Sequence, residues 1–266
     1  MIIIRKFHGK RNPVKSTLTS LNSRIEGKYN EYDIAFNDND LESIPLEYYA
    51  ADDKNALLHC YTSGTKAKDD LIARIKGNQP DHLKSVCQFC GLNSNDTTDH
   101  FLPKELYPEF CVNHKNLIPC CFKCNLFKGI YLLDPRTTTR GILNLYLDTM
   151  PMVQFLFLDV SFFDGVPRAS FRLGNPNGID AAMFQIIQFH FERLKLLERY
   201  LDRFGSIYRQ ILSAYSDNSY NGNPILVQRT LLHDARTLFT DFGRNYYIAI
   251  IKESLATNTE FINMFI

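Results

Sequence analysis

Apolar positions recur at intervals of three and four through most of the second half of the chain. From Asp180 onwards Met183, Ile186, Ile187, His190, Leu194, Leu197, Leu201, Phe204, Tyr208, Ile211 and Tyr215 form a stripe, which predicts one long helix with Asp180 as its N-cap. Phe184, Phe189 and Phe191 widen the apolar surface near its start, which suggests either a fully buried helix or a surface for association. His190 lies on the stripe and reads as a core histidine. Asn223-Pro224 opens a further helix running to about Phe242 ahead of Gly243, and a third runs from Tyr246 towards the apolar end FINMFI.

Elsewhere the pattern is shorter in period. Residues 152–163 read as a buried strand, Asp164-Gly165 as a turn, and residues 169–173 as the partner strand, a pair expected to pack beside the cysteine-rich middle of the chain. Residues 1–4 are β-branched and read as a short strand, broken by Asn12-Pro13 before a weak helical pattern through Leu18 and Leu21. A polar turn at residues 37–40 precedes two helical pieces within 41–76. The second is built on Leu71, Ile72 and Ile75 after the Ser63-Gly64 break and ends at residues 77–80.

Composition adds limits. The 266 residues are 45% hydrophobic, enough for a sizeable core. A net charge of +1 has no strong pull on a polyanion, so nucleic-acid affinity must come from local patches or a metal. Arg5, Lys6, Lys10, Arg11 and Lys15 form one such patch, read either as a phosphate contact or as a solvated arm. Seven cysteines, an odd count without a disulfide framework, suit a reducing compartment. With neither a signal-peptide pattern in MIIIRKFHGKR nor a membrane-length apolar run, the expectation is a soluble cytoplasmic protein with no membrane partner.

Residues 87–129 carry the chemistry. Cys87 and Cys90 form one Cys-x-x-Cys pair, Cys121 and Cys124 another, a spacing that points to a four-thiolate zinc site. Four ordinary buried cysteines are the bland alternative. Cys120 competes with Cys121 as a ligand, although Cys121 keeps the two-residue gap to Cys124. A site closed by four thiolates has no open coordination position, so its role would be structural. Between and beside the pairs lie a strand-like segment containing Asp99-His100 and ending at Pro103, a second short strand from Asn116 to Ile118, and a short helix carrying Asn125 that Gly129 would end.

The run DH-x-x-P-K followed by N-L-x-P-x-C-x-x-C-N-x-x-K resembles the HNH nuclease family, also called ββα-metal or His-Me finger nucleases, in its zinc-stapled form. The third letter of the family name is occupied here by Asn125. The resemblance is confined to this stretch and implies a central ββα-metal finger with a four-cysteine zinc site at 81–135; with the elements read from the pattern on either side, a small N-terminal α/β segment at 1–80 and a strand pair followed by a mainly helical region at 136–266, the expected fold is α+β. It implies that His100 is the general base, that Asp99 and Asn125 hold a catalytic Mg²⁺ or Mn²⁺, and that Asn116 orients His100 through the loop backbone. Lys128, one helical turn after Asn125, would contact substrate phosphate. The substrate would be DNA. Such nucleases resemble subunits of bacterial anti-phage defence or restriction systems, working with an ATPase partner subunit or as a homo-oligomer. The chain itself has no G-x-x-x-x-G-K-[ST]. A non-catalytic zinc-finger module that binds nucleic acid or a protein partner is the rival reading, and it gives no reason to keep Asp99, His100 and Asn125 together.

Overall fold

The computed structural model describes residues 13–216, 220 and 222–266. The strand expected at residues 1–4, and Arg5, Lys6, Lys10 and Arg11 of the basic patch, lie outside the described residues. The architecture is α+β, with helices and two small antiparallel sheets. The chain divides into two compact units, Met1–Thr149 and Met150–Ile266.

In the first unit, α1 (Pro13–Ser20) and α3 (Ala51–Thr62) bury Leu18, Leu21, Leu57 and Cys60 together with Cys111, a residue of the cysteine-rich middle. Helix α2 (Asn22–Asn37) gives no clean apolar period in the sequence, yet Tyr32 is fully buried on it, edge-on to Phe110 at 4.8 Å. Helix α4 (Lys66–Gly77) starts at Thr65, whose side chain accepts from the Lys68 N–H. The apolar faces of these early helices are thus covered in part by Phe110 and Cys111, which come after residue 80. Residues 136–149 also stay with the first unit, through an ion pair between Arg140 and Glu42 at 3.3 Å and a Tyr146 hydroxyl that donates to the Leu117 carbonyl.

The middle of this unit is a strand β1 (Thr97–His100), a strand β2 (Leu117–Cys120) and a helix α5 (Phe122–Lys128). The strands are antiparallel, with Thr97 opposite Cys120 and His100 opposite Leu117. Cys121 is the N-cap of α5, its sulfur accepting from the Cys124 N–H, and Gly129 at φ 54° ends the helix in a conformation that favours glycine.

The second unit opens on β3 (Leu156–Phe163) and β4 (Val166–Leu173), joined by Asp164 and Gly165, both at positive φ as a two-residue hairpin turn requires. The strand expected from residue 152 begins at Leu156, and it is not buried along its length. Leu156 and Leu158 are buried while Asp159 is exposed, the alternation of a sheet covered on one face. The covering elements are α7 and α9, so the hairpin forms part of this unit's core.

The single long helix expected from Asp180 is two, α6 (Ala181–Arg193) and α7 (Leu196–Tyr215), separated by Lys195 at φ 52°. Leu194 and Leu196 explain the break. Two residues apart on a continuous helix they would point about 200° away from each other, yet both are buried. Of the three residues suggested for association, Phe184 is half-buried. Phe189 and Phe191 are buried, and Phe191 meets Phe155 at 5.9 Å and Tyr200 at 6.2 Å. Helix α8 (Pro224–Phe242) is capped by Asn223 and stopped by Gly243. Helix α9 (Tyr247–Ala256) and α10 (Thr259–Asn263) follow, and Phe261 and Phe265 of the apolar end are buried. No helix among the described residues is long and apolar enough to cross a membrane.

Candidate active site and four-cysteine cluster

Each Cys-x-x-Cys pair sits on a turn that bends two sulfurs towards one point. The first is closed by the Cys90 and Gly91 N–H groups on the Cys87 carbonyl, with Gly91 at φ 64°, and the Leu92 N–H points at the Cys90 sulfur at 3.4 Å. The second is the start of α5. The four sulfurs of Cys87, Cys90, Cys121 and Cys124 lie within 4.8 Å of one another, and Cys90 and Cys121 are 3.9 Å apart. Sulfurs placed tetrahedrally at about 2.3 Å from a zinc ion stand about 3.8 Å from each other, so the cluster is compatible with a structural metal such as zinc. Hydrogen bonding among the four thiols holds Cys121 and Cys90 below the usual thiol range and Cys87 and Cys124 above it. Cys120 is outside the cluster. Its sulfur lies 3.6 Å from the Thr97 hydroxyl.

Strand pleating decides the next step, because neighbours on β1 point to opposite faces. The His100 ring is buried and packs edge-on to Tyr61 at 4.4 Å. Its Nε2 lies 2.9 Å from the Cys111 carbonyl oxygen. A carbonyl can only accept, so Nε2 carries the proton and Nδ1 is left as the lone-pair nitrogen. Burial pushes the imidazole down to about 4, against the opposing pull of the Cys111 carbonyl, so the ring is neutral at pH 7. The loop that presents Cys111 is held by Asn116, which is fully buried. Asn116 Oδ1 accepts from the Leu102 N–H at 2.8 Å, and Nδ2 donates to the carbonyls of Leu102 at 3.0 Å and Phe110 at 3.3 Å. Tyr32 adds a hydroxyl donor to Oδ1 at 3.4 Å.

Asp99 faces the other way, towards α5. Its Oδ2 lies 2.9 Å from Lys128 Nζ, and the same ammonium donates to the His100 carbonyl at 2.7 Å. Burial pushes the Asp99 carboxyl up, and Lys128 counteracts this. Lys128 is 0% exposed, so the phosphate contact expected of it is closed to it here: its long stem turns inward because an inward carboxylate and carbonyl are there to receive it. Replacing Lys128 with Met leaves that carboxylate buried and unpaired, and we expect a loss of about 3–5 kcal/mol in urea unfolding. A lysine that served only substrate would change stability by less than about 0.5 kcal/mol.

One turn before Lys128, Asn125 donates through Nδ2 to the Thr97 hydroxyl and the Thr98 carbonyl, both at 3.4 Å, and its Oδ1 has no hydrogen-bond partner among the described residues. His100 and Asn125 share a cavity of about 410 Å³ with Thr98, Tyr61, Lys76 and Lys104. Asp99 and Lys128 do not line it. Sequence reasoning missed Tyr61 and Lys76, which reach the cavity from α3 and α4 and have no local signature. Lys104 was visible as the last letter of DH-x-x-P-K.

No family model matches the chain, and no solved structure matches it. It is similar to protein ea31 of Escherichia phage lambda, with 31% identity over 118 residues, 43% of this chain and 39% of that protein. It is also similar to the Septu protein PtuB of Bacillus thuringiensis, with 38% identity over 50 residues, 17% of this chain and 20% of that protein. The chain thus spans well under half the length of either relative.

Proposed function

We propose that the first unit is a metal-dependent endonuclease of the HNH type that hydrolyses phosphodiester bonds in DNA, within a bacterial anti-phage defence system. The observation that carries this reading is the meeting of His100 and Asn125 at one cavity on a strand–strand–helix scaffold beside four clustered cysteines. A neutral imidazole whose Nε2 proton is held by a backbone carbonyl keeps Nδ1 for the proton of an attacking water. The free amide oxygen of Asn125 is the hard donor that Mg²⁺ or Mn²⁺ prefers, and Asp99, on the neighbouring seam between β1 and α5, would complete the set by exchanging Lys128 for the ion. Such an ion, when bound, stabilises charge on the phosphate oxygens and the departing 3′ oxygen. Lys104 and Lys76 at the cavity take the place in substrate binding first expected of Lys128. The cysteines would hold a structural zinc that keeps β1, β2 and α5 in register. Similarity to the Septu protein PtuB supports the defence setting.

One observation favours the rival, a non-catalytic zinc module: the Asp99 carboxylate is already neutralised by Lys128. Plasmid nicking decides between them, with the chain alone and with the product of the adjacent gene, in Mg²⁺, Mn²⁺ or chelator. We expect cleavage that needs the metal, a large loss in Asn125→Ala at limiting Mg²⁺, and partial recovery at high Mn²⁺. Absence of metal-dependent cleavage in both settings, or an Asn125→Ala protein indistinguishable from wild type at limiting metal, leaves the binding module as the answer.

A further inference from the structure

A histidine side chain turns about χ1 and χ2, and the second of these torsions is broad and roughly two-fold by nature. In His100 the hydrogen bond from Nε2 to the Cys111 carbonyl fixes one atom of the ring, which still leaves the ring able to tilt about that contact. A base that presents Nδ1 to a water needs the whole ring held, because a misplacement of about 1 Å costs on the order of 10²-fold in rate. A second contact on the ring comes from α3. The centre of the Tyr61 ring lies 4.4 Å from that of His100, at an interplanar angle of 73°.

Tyr61 is itself held at both ends. Its hydroxyl donates to the Thr98 carbonyl at 3.3 Å, the oxygen that also receives Asn125 Nδ2 at 3.4 Å. The ring packs against the apolar cluster that contains Leu57, Cys60 and Cys111, so the two residues that meet the imidazole, Cys111 and Tyr61, are anchored in one packed body. Tyr61 stays half-buried, because it lines the cavity of His100 and Asn125.

We propose that Tyr61 is a positioning residue for His100: its ring fixes the tilt of the imidazole, so that Nε2 stays on the Cys111 carbonyl and Nδ1 is presented to the cavity. The Thr98 bond and the apolar cluster keep the Tyr61 ring in place for that role. Tyr61 belongs to α3, outside the strand–strand–helix of β1, β2 and α5, so the orientation of the base is supplied by a helix that precedes that scaffold in the chain. The kinetic part of this proposal rests on the nuclease reading, and the geometric part does not.

The experiment is NMR of the histidine ring nitrogens in the isotope-labelled full chain at neutral pH, with the His100 signals identified by their loss in His100→Gln, alongside plasmid-nicking kinetics. We expect a single His100 tautomer in the wild type, with the proton on Nε2. Tyr61→Leu removes the ring, so both tautomers should appear, and kcat should fall by about 10-fold to 10²-fold while KM stays within about twofold. Tyr61→Phe keeps the ring and should recover the single tautomer and most of kcat. If Tyr61→Leu fails to fold, Tyr61→Met fills the space with a flexible chain that has no ring and is read in the same way. A single Nε2–H tautomer in folded Tyr61→Leu or Tyr61→Met overturns the proposal, as does a Tyr61→Phe protein that loses as much as Tyr61→Leu. A raised KM at unchanged kcat overturns it too, by making Tyr61 a substrate contact. If the wild type itself does not cut DNA, the nuclease reading falls and the tautomer measurement alone decides the role of Tyr61.

Discussion

His100→Gln should lose DNA cleavage by a factor of about 10² to 10⁴ while melting close to the wild-type temperature. The factor is the typical contribution of a positioned general base. Glutamine keeps a side-chain N–H that can donate to the Cys111 carbonyl, and it fills most of the space against Tyr61, but it offers no basic nitrogen. His100→Ala should lose as much activity and in addition some stability, because the ring is 5% exposed and its removal opens a cavity. DNA binding should survive in His100→Gln, since affinity comes mainly from phosphate contacts. Side-by-side nicking assays, gel-shift titrations and thermal melts of the three proteins separate these effects. A His100→Gln protein that cuts as fast as wild type removes the imidazole from the chemistry and with it the HNH assignment.

Cys90→Ser should strip the metal from the four-cysteine cluster and unfold or precipitate much of the first unit. The wild-type protein is expected to carry about one zinc per chain. Structural zinc sites contribute on the order of 10 kcal/mol to folding of small domains, comparable to the whole stability of an ordinary domain. The damage should reach the candidate active site, because Cys121 begins α5, the helix that carries Asn125 and Lys128. Cys120→Ser is the internal control: its sulfur faces Thr97 outside the cluster, so zinc should remain. Elemental analysis and thermal melts of both variants check this. Zinc retained at full occupancy in Cys90→Ser, or lost from Cys120→Ser, contradicts the ligand set.

Local signals were readable because they depend on near neighbours. The Cys-x-x-Cys turns, the strand–strand–helix order around Asp99, Asn116 and Asn125, the Asn223 cap and the Gly243 stop each lie within a few residues of what they determine. Helix α2 was not readable. Its one fully buried side chain, Tyr32, is satisfied by Phe110 and Asn116, some eighty residues later.

The sequence by itself determined which residue types stand at which spacing, the two Cys-x-x-Cys pairs and the order Asp99, His100, Asn116, Asn125, since residue type and short spacing are properties of the chain. Only the tertiary structure decided what those side chains face. Pleating turned Asp99 away from His100, and an inward carboxylate and carbonyl drew Lys128 away from the surface. Packing from α3 and α4 brought Tyr61 and Lys76 to the cavity, and the need to bury both Leu194 and Leu196 broke the long helix. The reason is the same in each case. Burial and charge pairing are set by neighbours distant along the chain, and a stripe or motif specifies what a residue is able to do without specifying what will be packed against it.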